Sequence, residues 1–381
     1  MNLLTEIPAI LFIIVGSCYA IIIIAFNVAW FRLKWWKNTI TSPVTKVTVI
    51  IPVRNEEKNI IPCLEKVTTQ NYPSSLYEII VVNDSSTDHT FSLVTKFMLA
   101  NSHKSISLLN LSQRKTSFKK AAITRAVNIT QSDLIITTDA DCSMSEGWIT
   151  AIAGYYEKMK PAMIAGPVCF KNEKGIFNKM QALEFLSLIA SGAASIQLGM
   201  PTMCNGANLA YERSAFLQAG GYDDDLNYTS GDDIFLLHKM KAQHKKIAFI
   251  KSREAIVETT AQPSLKMFLN QRKRWVSKSR GYTNIATITV ALLVLLFNSV
   301  IVASLIMSFF FTPFLWLFLE FFIIKSVVDL PVLTGISTFA NKKKLMYFYL
   351  PLQIIYPLYI VCTGFLGLFG SFEWKERKYK Q

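Results

Sequence analysis

Three long stretches without a single charged residue constrain this chain more than any other feature of its sequence. They are Ile7–Phe31, Gly281–Leu319 and Leu345–Phe372, of 25, 39 and 28 residues. A helix needs about 20 apolar residues to cross the hydrocarbon core of a bilayer, so each stretch is long enough. They also account for a 381-residue chain that is 51% hydrophobic and only 17% charged. The sequence therefore predicts a protein built partly within a membrane.

The first stretch is predicted to be a transmembrane helix over residues 7–31. A cleaved signal peptide is the alternative, but the apolar run is longer than usual and no basic segment precedes it. Basic residues follow it instead, at Arg32, Lys34 and Lys37. Because positive charge favours the cytoplasmic side, the middle of the chain is predicted to be cytoplasmic, at a bacterial-type inner membrane.

The chain is strongly basic, with a formal net charge of +14. Nucleic acid binding is one explanation, but the lysines and arginines are scattered and form no basic module with interleaved aromatic residues. A basic cytoplasmic face beside anionic lipids explains the charge more simply. We therefore expect membrane lipids among the partners, and no nucleic acid.

Residues 44–262 form the predicted soluble block, in which short apolar strands alternate with helical segments. This alternation is typical of right-handed βαβ units and predicts an α/β fold, with a mostly parallel sheet covered on both faces. Such sheets bind ligands beyond the carboxyl ends of their strands. Strands are predicted at 47–51, 78–82, 105–109, 133–138 and 203–210, and helices at 57–70, 88–100, 119–129 and 234–241.

Acidic side chains follow three of these strands. Glu56 comes after the first strand, Asp84 after the second, and Asp139 with Asp141 directly after the fourth. Carboxylates at i and i+2 past a strand end can turn to one side, and such hard oxygen ligands suit Mg²⁺ or Mn²⁺ together with substrate phosphates. An acidic surface loop, or a helix cap in the case of Asp84, is the alternative that each residue alone leaves open.

Two further carboxylates, Asp232 and Asp233, stand at the start of a predicted helix. A carboxylate in this position can act as a general base that takes a proton from an acceptor hydroxyl group. Capping of the helix, favoured by its dipole, is the simpler alternative.

Residues 264–281 are predicted to form an amphipathic helix that lies in the membrane interface. It contains Gln271, Arg274 and Trp275. The arginine could offset the charge of a leaving diphosphate and the tryptophan could stack on a sugar. Contact with lipid phosphates and a place in the interfacial aromatic belt are the alternative.

The C-terminal region, residues 285–370, is predicted to cross the membrane two or three times. The whole chain then has three or four spans, and the basic residues that flank the last one do not decide between them. Four is favoured because Lys325 and Asp329 are one helical turn apart and could pair inside a bundle. The candidate spans are Ile285–Phe311, Phe314–Phe339 and Leu345–Phe369.

Six short motifs stand in order within residues 46–280. In this order and spacing they resemble the family 2 glycosyltransferases, above all the membrane-bound branch that includes cellulose, chitin, hyaluronan and poly-N-acetylglucosamine synthases. The motifs are Ile50-Ile51-Pro52-Val53-Arg54-Asn55-Glu56-Glu57, Val82-Asn83-Asp84-Ser85-Ser86-Thr87-Asp88, Lys120-Ala121-Ala122, Asp139-Ala140-Asp141, Gly231-Asp232-Asp233 and Gln271-Arg272-Lys273-Arg274-Trp275.

The resemblance implies a GT-A fold and inverting transfer from a nucleotide sugar, with a UDP-sugar as the expected donor. It assigns Asp233 to the catalytic base and Asp141 to the divalent metal, Mg²⁺ or Mn²⁺. It places Asp84 and Glu56 at the nucleoside. The wider nucleotide-sugar set is Pro52, Arg54, Glu56, Asp84, Lys120 and Asp139, and the diphosphate and acceptor set is Asp232, Gln271, Arg274 and Trp275.

Two positions depart from the family pattern. Lys119 stands where the family has a glycine before the lysine, which here is Lys120. Gly231-Asp232-Asp233 stands where the processive synthases usually have Thr-Glu-Asp, so the final aspartate is kept and the class of acceptor stays open.

The expected function is sugar transfer to a lipid-linked or growing glycan for cell-surface glycan synthesis. The Gln-x-x-Arg-Trp motif favours a processive polymerase, whereas the small number of spans favours a single transfer. The alternative from another class is a transporter or channel with a nucleotide-binding regulatory domain, supported by Lys325 and Asp329. A catalytically inactive scaffold is the third hypothesis, against which the intact acidic set argues.

Overall fold

The computed structural model describes residues 3–111, 118–222, 231–369, 372–374 and 377–379. Its contacts divide the chain into two compact units. One, here called the sheet unit, comprises Leu33–Asn172 and Gly199–Ala261. The other, the membrane unit, comprises Met1–Arg32, Glu173–Leu198 and Gln262–Gln381. The segment Glu173–Leu198 thus groups with the flanking helices, although the sequence pattern predicts one uninterrupted soluble block around it.

Helices and strands alternate along most of the described chain. The α-helices are α1 (Leu3–Arg32), α2 (Ile60–Thr68), α3 (Thr90–Ala100), α4 (Phe118–Ile129), α5 (Trp148–Met159), α6 (Gly175–Gln197), α7 (Arg213–Gln218), α8 (Asp232–Ala242), α9 (Leu265–Ser277), α10 (Ile285–Ser308), α11 (Pro313–Phe339) and α12 (Tyr349–Phe369). The strands are β1 (Val47–Val53), β2 (Tyr77–Asn83), β3 (Ile106–Asn110), β4 (Leu134–Thr137), β5 (Ser143–Met144), β6 (Met163–Ala165), β7 (Val168–Lys171), β8 (Leu209–Glu212), β9 (Ile247–Phe249), β10 (Val257–Thr260), β11 (Phe372–Trp374) and β12 (Arg377–Tyr379).

The sheet unit is built on a seven-stranded sheet within the described residues, with the order β3-β2-β1-β4-β8-β6-β9. β1 lies between β2 and β4 and is parallel to both, and β3 extends the parallel set. β8 is antiparallel to β4 and to β6, whereas β9 is parallel to β6. The predicted α/β fold with a mostly parallel sheet is confirmed, and β8 makes the sheet mixed.

β1 shows why the parallel part of the sheet forms. Its sequence VTVIIPV is rich in β-branched residues, which pack well on a pleated surface. It is buried along almost its whole length, as expected for a parallel strand covered on both faces. Pro52, which lacks an N–H group, pairs with Val82 next to the end of the strand. The chain therefore leaves the ladder just where the site begins.

The strand predicted over residues 203–210 is only partly correct. β8 starts at Leu209, and residues 203–208 are irregular apart from a turn at Gly206 and Ala207. Asn208 explains the irregular backbone, because its side-chain amide donates to the carbonyl oxygens of Pro167 and Ala255 at 2.8 and 2.7 Å. This side chain holds neighbouring loops together, so the segment before it is a loop rather than a strand.

Three helices of the described chain are long and apolar enough to cross a membrane, namely Phe12–Arg32, Ile285–Ser308 and Lys343–Gly367. α11, with 27 residues, is also long enough, but Glu320, Lys325 and Asp329 make it more polar. The choice between three and four spans therefore depends on α11 and remains a prediction. α1, α10 and α11 share a buried core formed by Val15, Tyr19, Phe297, Val300, Ile301 and Phe321.

The charged pair on α11 lies in a polar network inside the membrane unit. Lys325 Nζ donates to Asp329 Oδ2, and also to Gln353 Oε1 of α12 at 2.7 Å. Tyr19 of α1 donates its hydroxyl proton to Asp329 Oδ1 at 2.8 Å. The lysine ammonium also lies 4.5 Å from the centroid of the Tyr356 ring. The pair thus bonds three helices to one another.

Candidate active site

The carboxyl ends of β1, β2 and β4 bring predicted site residues to one edge of the sheet. Val53 pairs with Asn83, so the segments that follow β1 and β2 leave the sheet side by side. The N–H of Asp84 continues this alignment by donating to the carbonyl oxygen of Val53 at 2.9 Å. β4 lies on the other side of β1, and one residue separates its last residue, Thr137, from Asp139.

Arg54 and Asp84 form an ion pair at this edge. Arg54 Nη1 lies 3.6 Å from Asp84 Oδ2 and donates to the carbonyl oxygen of Asp84 at 2.8 Å. Asn55 has a φ of 50°, a left-handed conformation that asparagine tolerates better than most residues. Its N–H donates to Ser86 Oγ at 3.1 Å. The two loops are therefore bonded to each other, and Asp84 is held in a fixed place beside the guanidinium group.

Asp139 and Asp141 lie in a part of the site with excess negative charge. Burial raises the pKa of Asp141, and the charges of Asp139 and Glu56 raise it further. Asp141 accepts one side-chain hydrogen bond from outside its own loop, because Thr259 of β10 donates its hydroxyl proton to Asp141 Oδ2 at 3.0 Å. Asp139 and Glu56 are thus close enough to Asp141 to repel its carboxylate.

Lys119 of α4 supplies positive charge to this acidic set. Its ammonium lies 2.8 Å from Asp139 Oδ1 and 3.1 Å from Asp232 Oδ2. Burial alone would lower the pKa of this lysine, but the charges of Asp139 and Asp232 outweigh burial and raise the pKa above its ordinary value. The side chain is therefore charged at neutral pH and joins the strand end that carries Asp139 to the start of α8.

Lys120, to which the resemblance gives a phosphate role, has a different environment. Its side chain is buried, with 2% exposed, and its ammonium lies 4.5 Å from the centroid of the Phe235 ring. Lys119 is the lysine whose ammonium lies 2.8 Å from Asp139 Oδ1. The role of Lys120 stays a prediction.

The predicted base, Asp233, is at the start of α8. Asp233 Oδ1 accepts a hydrogen bond from the N–H of Ile234 at 2.8 Å, and Oδ2 accepts one from the N–H of Gly206 at 3.4 Å. Gly231, which precedes the helix, has a φ of 88°, a conformation that favours glycine. The turn that begins α8 therefore points Asp232 and Asp233 toward the irregular segment before β8.

Gly206 is packed closely against the side chains of the acidic set, so a larger residue would displace them. A Cβ atom at this position would lie 2.8 Å from Asp232 Oδ2 and 3.3 Å from Lys119 Nζ. The carbonyl oxygen of the same glycine accepts a hydrogen bond from Thr137 Oγ1 at 3.3 Å. The backbone of this loop thus comes directly against the acidic set.

The carboxylates fit the divalent metal that the resemblance implies. The raised pKa of Asp141, caused by burial and by Asp139 and Glu56, shows a place where a cation would relieve repulsion. Within the described residues, no group of three or more histidine, cysteine, aspartate or glutamate side chains is arranged to hold a metal ion. One or two carboxylates, completed by substrate phosphates and water, is the usual arrangement for Mg²⁺. Asp141 is the residue that would hold the ion.

The other predicted residues, Gln271, Arg274 and Trp275, belong to α9 in the membrane unit. The Trp275 ring lies 6.2 Å from that of Phe185 on α6 and 4.1 Å from the guanidinium group of Arg272. Their roles at the diphosphate and acceptor stay predictions.

Three residues of the site were not found by the sequence reasoning, namely Lys119, Gly206 and Thr259. Lys119 was visible only as a departure from the family pattern. Gly206 lies in the segment predicted as a strand, and an isolated glycine inside such a pattern is a signal of close backbone approach. Thr259 comes from β10, which carried no motif.

Curated relatives resemble this chain at low identity. A protein from Nostoc sp. strain PCC 7120 named beta-monoglucosyldiacylglycerol synthase is 23% identical over 263 residues, 69% of this chain and 55% of its own length. A Staphylococcus aureus (strain COL) poly-beta-1,6-N-acetyl-D-glucosamine synthase is 25% identical over 182 residues, 47% of this chain and 42% of its own. The chain thus spans about half the length of these relatives.

A solved structure is similar over almost the whole chain. The mannosyltransferase from Pyrobaculum calidifontis, in complex with GDP-Man and Mn²⁺, matches 92% of this chain and 98% of its own. The TM-score is 0.57 and the sequence identity is 17%. At this identity the likeness establishes the fold, and the predicted GT-A fold is confirmed.

Two family models match overlapping parts of the chain. The model described as glycosyl transferase family 2 matches residues 48–218. The model described as glycosyl transferase family group 2 matches residues 134–360, which is more than half of the chain. This extent goes beyond shared architecture, and the chain belongs to the family 2 glycosyltransferases.

Proposed function

We propose that this protein is a membrane-bound inverting glycosyltransferase that moves a sugar from a nucleoside diphosphate sugar to a lipid-linked or growing glycan. The observation that carries this proposal is the acidic edge of the GT-A sheet. Asp84 lies there beside Arg54, and Lys119 joins Asp139 to Asp232, the neighbour of Asp233. The names of the Nostoc and Staphylococcus relatives, one a glycolipid synthase and one a glycan synthase, support both classes of acceptor.

In this proposal the nucleotide-sugar donor binds at the edge of the sheet. Asp84, fixed by Arg54, is placed to accept hydrogen bonds from the nucleoside, and we expect a UDP-sugar. Lys119 is placed to donate to a diphosphate oxygen next to Asp139. A divalent cation bound by Asp141 would supply further charge to the diphosphate, as the GDP-Man and Mn²⁺ of the Pyrobaculum structure suggest.

Asp233 performs the proton transfer in the proposal. Its carboxylate takes the proton of the acceptor hydroxyl, whose oxygen attacks the anomeric carbon from the face opposite the nucleotide. The bond from the anomeric carbon to the diphosphate oxygen breaks, and the configuration inverts. The two backbone N–H groups bonded to Asp233 hold its carboxylate in place for this role.

The test measures transfer and hydrolysis from a panel of UDP- and GDP-sugars, with Mn²⁺, Mg²⁺ or chelator. We expect Asp233→Asn to lower turnover by about 10²-fold or more while nucleotide affinity is kept, because only the base is lost. Asp141→Asn should lower activity as well, and the activity that remains should not respond to added Mn²⁺ or Mg²⁺. Glu254→Gln, an exposed carboxylate of the same unit, is the matched control. Full activity in both site variants would overturn the mechanism, and the size of the product separates a polymerase from a single transfer.

We further propose that the protein is an integral membrane protein with its catalytic domain on the cytoplasmic side. The three apolar helices support membrane insertion, and the basic residues after α1 support the orientation. Four spans would place residue 344 on the cytoplasmic side. A cysteine introduced there by Lys344→Cys should then react with a membrane-impermeant thiol reagent only when the membrane is permeabilised. Labelling from outside intact cells would contradict four spans.

The alternative of a transporter or channel gains nothing from the charged pair on α11. Lys325 and Asp329 are bonded to each other, to Tyr19 and to Gln353. Such a network explains the charges as bonds between helices, so the glycosyltransferase proposal alone is retained.

A further inference from the structure

The face of α9 that is buried in the membrane unit contains an arginine. Phe268 and Arg272 are the buried residues of this helix within the described chain, one turn apart. The arginine side chain is buried, with 3% of the residue exposed. An arginine is kept charged inside a protein only when its environment bonds and neutralises it. Its contacts therefore show what the position does.

Two other helices of the membrane unit bond the guanidinium group. Arg272 Nη2 forms an ion pair with Glu184 of α6, and Nε donates to the hydroxyl oxygen of Tyr359 on α12 at 2.9 Å. Tyr359 in turn donates its hydroxyl proton to the other oxygen of Glu184 at 3.1 Å. The charge of the arginine is thus compensated and three helices meet at one group.

The same guanidinium group contacts two residues predicted to serve the diphosphate and acceptor. Arg272 Nη1 donates to Gln271 Oε1 at 2.8 Å. Its central carbon, Cζ, lies over the Trp275 ring at 4.1 Å from the ring centroid, and over the Phe268 ring at 4.6 Å. Both the amide of Gln271 and the indole of Trp275 are therefore held by a residue to which the resemblance gives no role.

We propose that Arg272 is a positioning residue for the transfer reaction, which fixes Gln271 and Trp275 for the acceptor and leaving diphosphate. This inference rests on the function proposed above. Arginine suits the task because its planar fork donates in several directions while its faces stack on aromatic rings, and the compact ammonium of lysine does neither. Glu184 and Tyr359 hold the guanidinium group of Arg272, and this group holds the side chains of Gln271 and Trp275.

The first test compares Arg272→Met with Lys273→Met, a control at the next position of the same helix. The assay follows transfer from the active donor of the panel to lipid extracted from the membranes of the expressing cells, and hydrolysis of the same donor by water. We expect transfer to fall by about 10²-fold, since a misplaced acceptor group costs about this much. Donor KM should change little, because the sheet unit holds the nucleotide. Hydrolysis should fall less than transfer, because water needs no positioned acceptor although the same diphosphate must leave.

A second variant separates positioning from stability. Arg272→Met alone leaves the Glu184 carboxylate buried without its partner, which is strongly destabilising. The double variant Arg272→Met/Glu184→Gln removes both charges and should regain thermal stability while transfer stays low. If the double variant regains transfer, or if Arg272→Lys transfers like the wild type, charge compensation is the whole role of Arg272 and the proposal is overturned.

A third measurement needs no sugar transfer and so distinguishes the failure of this inference from the failure of the proposed function. Acrylamide quenching of Trp275 is obtained as the difference between a protein and its Trp275→Phe variant. We expect quenching of this tryptophan to rise in the Arg272→Met/Glu184→Gln background, because the stacked cation is gone. An unchanged quenching constant would show that Arg272 does not hold the ring.

Discussion

Lys119 is the residue on which the charge balance of the candidate active site depends. Replacement by methionine leaves Asp139 and Asp232 without the cation that lies about 3 Å from each. Hydrogen bonds to charged groups contribute about 1.5–3 kcal/mol, so we expect Lys119→Met to raise the donor KM by roughly 10- to 100-fold. Steady-state kinetics with the active nucleotide sugar measure this.

Lys119→Arg is the control for this prediction, because it keeps the positive charge near both carboxylates. We expect a smaller rise in the donor KM than for the methionine variant. Donor binding that is equal in Lys119→Met and the wild type would contradict a role for this lysine at the diphosphate.

The raised pKa of Asp141 gives the site a defined dependence on pH. Because the folded-state pKa lies above the ordinary aspartate value, ionisation of this group costs folding stability as pH rises through that range. A divalent cation needs the ionised form and offsets the cost. We therefore expect Mn²⁺ to raise the thermal midpoint more at about pH 7.5 than at about pH 5.

Asp141→Asn removes both effects in this interpretation. We expect its thermal midpoint without metal to be higher than that of the wild type at neutral pH, and to respond little to Mn²⁺. Calorimetry or dye-based melting measures both. If the thermal midpoint of the wild type does not change with Mn²⁺ at any pH, Asp141 does not bind the ion.

At the residue scale the sequence predicts which kinds of side chain the site contains. It predicts less well which of two adjacent residues faces the site. The order of the motifs singled out Asp84, Asp139 and Asp233, because strand ends and helix starts can be read from patterns. Lys119 and Lys120 point about 100° apart on one helix, and only packing decides which of them meets Asp139. Thr259 could not be found, since β10 is brought to Asp141 by the fold alone.

The backbone of the loop before β8 packs against the acidic set at Gly206. Gly206→Ala would place a Cβ atom 2.8 Å from Asp232 Oδ2, which displaces the carboxylate and its lysine partner. We expect turnover to fall by at least about tenfold, equivalent to about 1.4 kcal/mol, with a smaller effect on the thermal midpoint. Activity and melting are measured on the same preparation.

Gly147→Ala is the matched control for this substitution. The three atoms nearest to a Cβ atom there belong to Glu254 and lie at ordinary van der Waals distances of 3.5 Å. We expect the wild-type turnover. Equal loss of activity in both variants would indicate a general effect of replacing glycine rather than contact with Asp232.

At the element scale the pattern of alternating strands and helices was sufficient for the first part of the sheet. β1 to β4 and α2 to α4 lie where they are predicted, to within about three residues. β5, β6, β7 and β9 were missed because two to four residues are too few to show a period. α6 was missed because its apolar residues are not confined to one face, so its sequence shows little of the 3.6-residue period.

The membrane unit as a whole depends on the charged network of α11. Lys325→Met leaves the Asp329 carboxylate, whose side chain is 13% exposed, without its cation. The loss of one partner of a buried pair costs up to about 3–5 kcal/mol. We expect a clear fall in the thermal midpoint of the protein purified in detergent.

The double variant Lys325→Met/Asp329→Asn removes both charges and is the comparison for this prediction. It should regain much of the lost stability, because no uncompensated charge remains. A single variant as stable as the wild type would show that the network does not join the helices.

The bond between Tyr19 and Asp329 has a consequence for synthesis of the chain. The two residues are 310 positions apart, and at roughly 5–20 residues per second the aspartate is made about 15–60 s after the tyrosine. In the proposed topology α1 lies in the bilayer during that interval, and the tyrosine hydroxyl and the Asn27 amide lack their later partners on α11. These two side chains of α1 thus gain their partners only after the whole sheet unit, which lies between α1 and α11 in the sequence, has been translated.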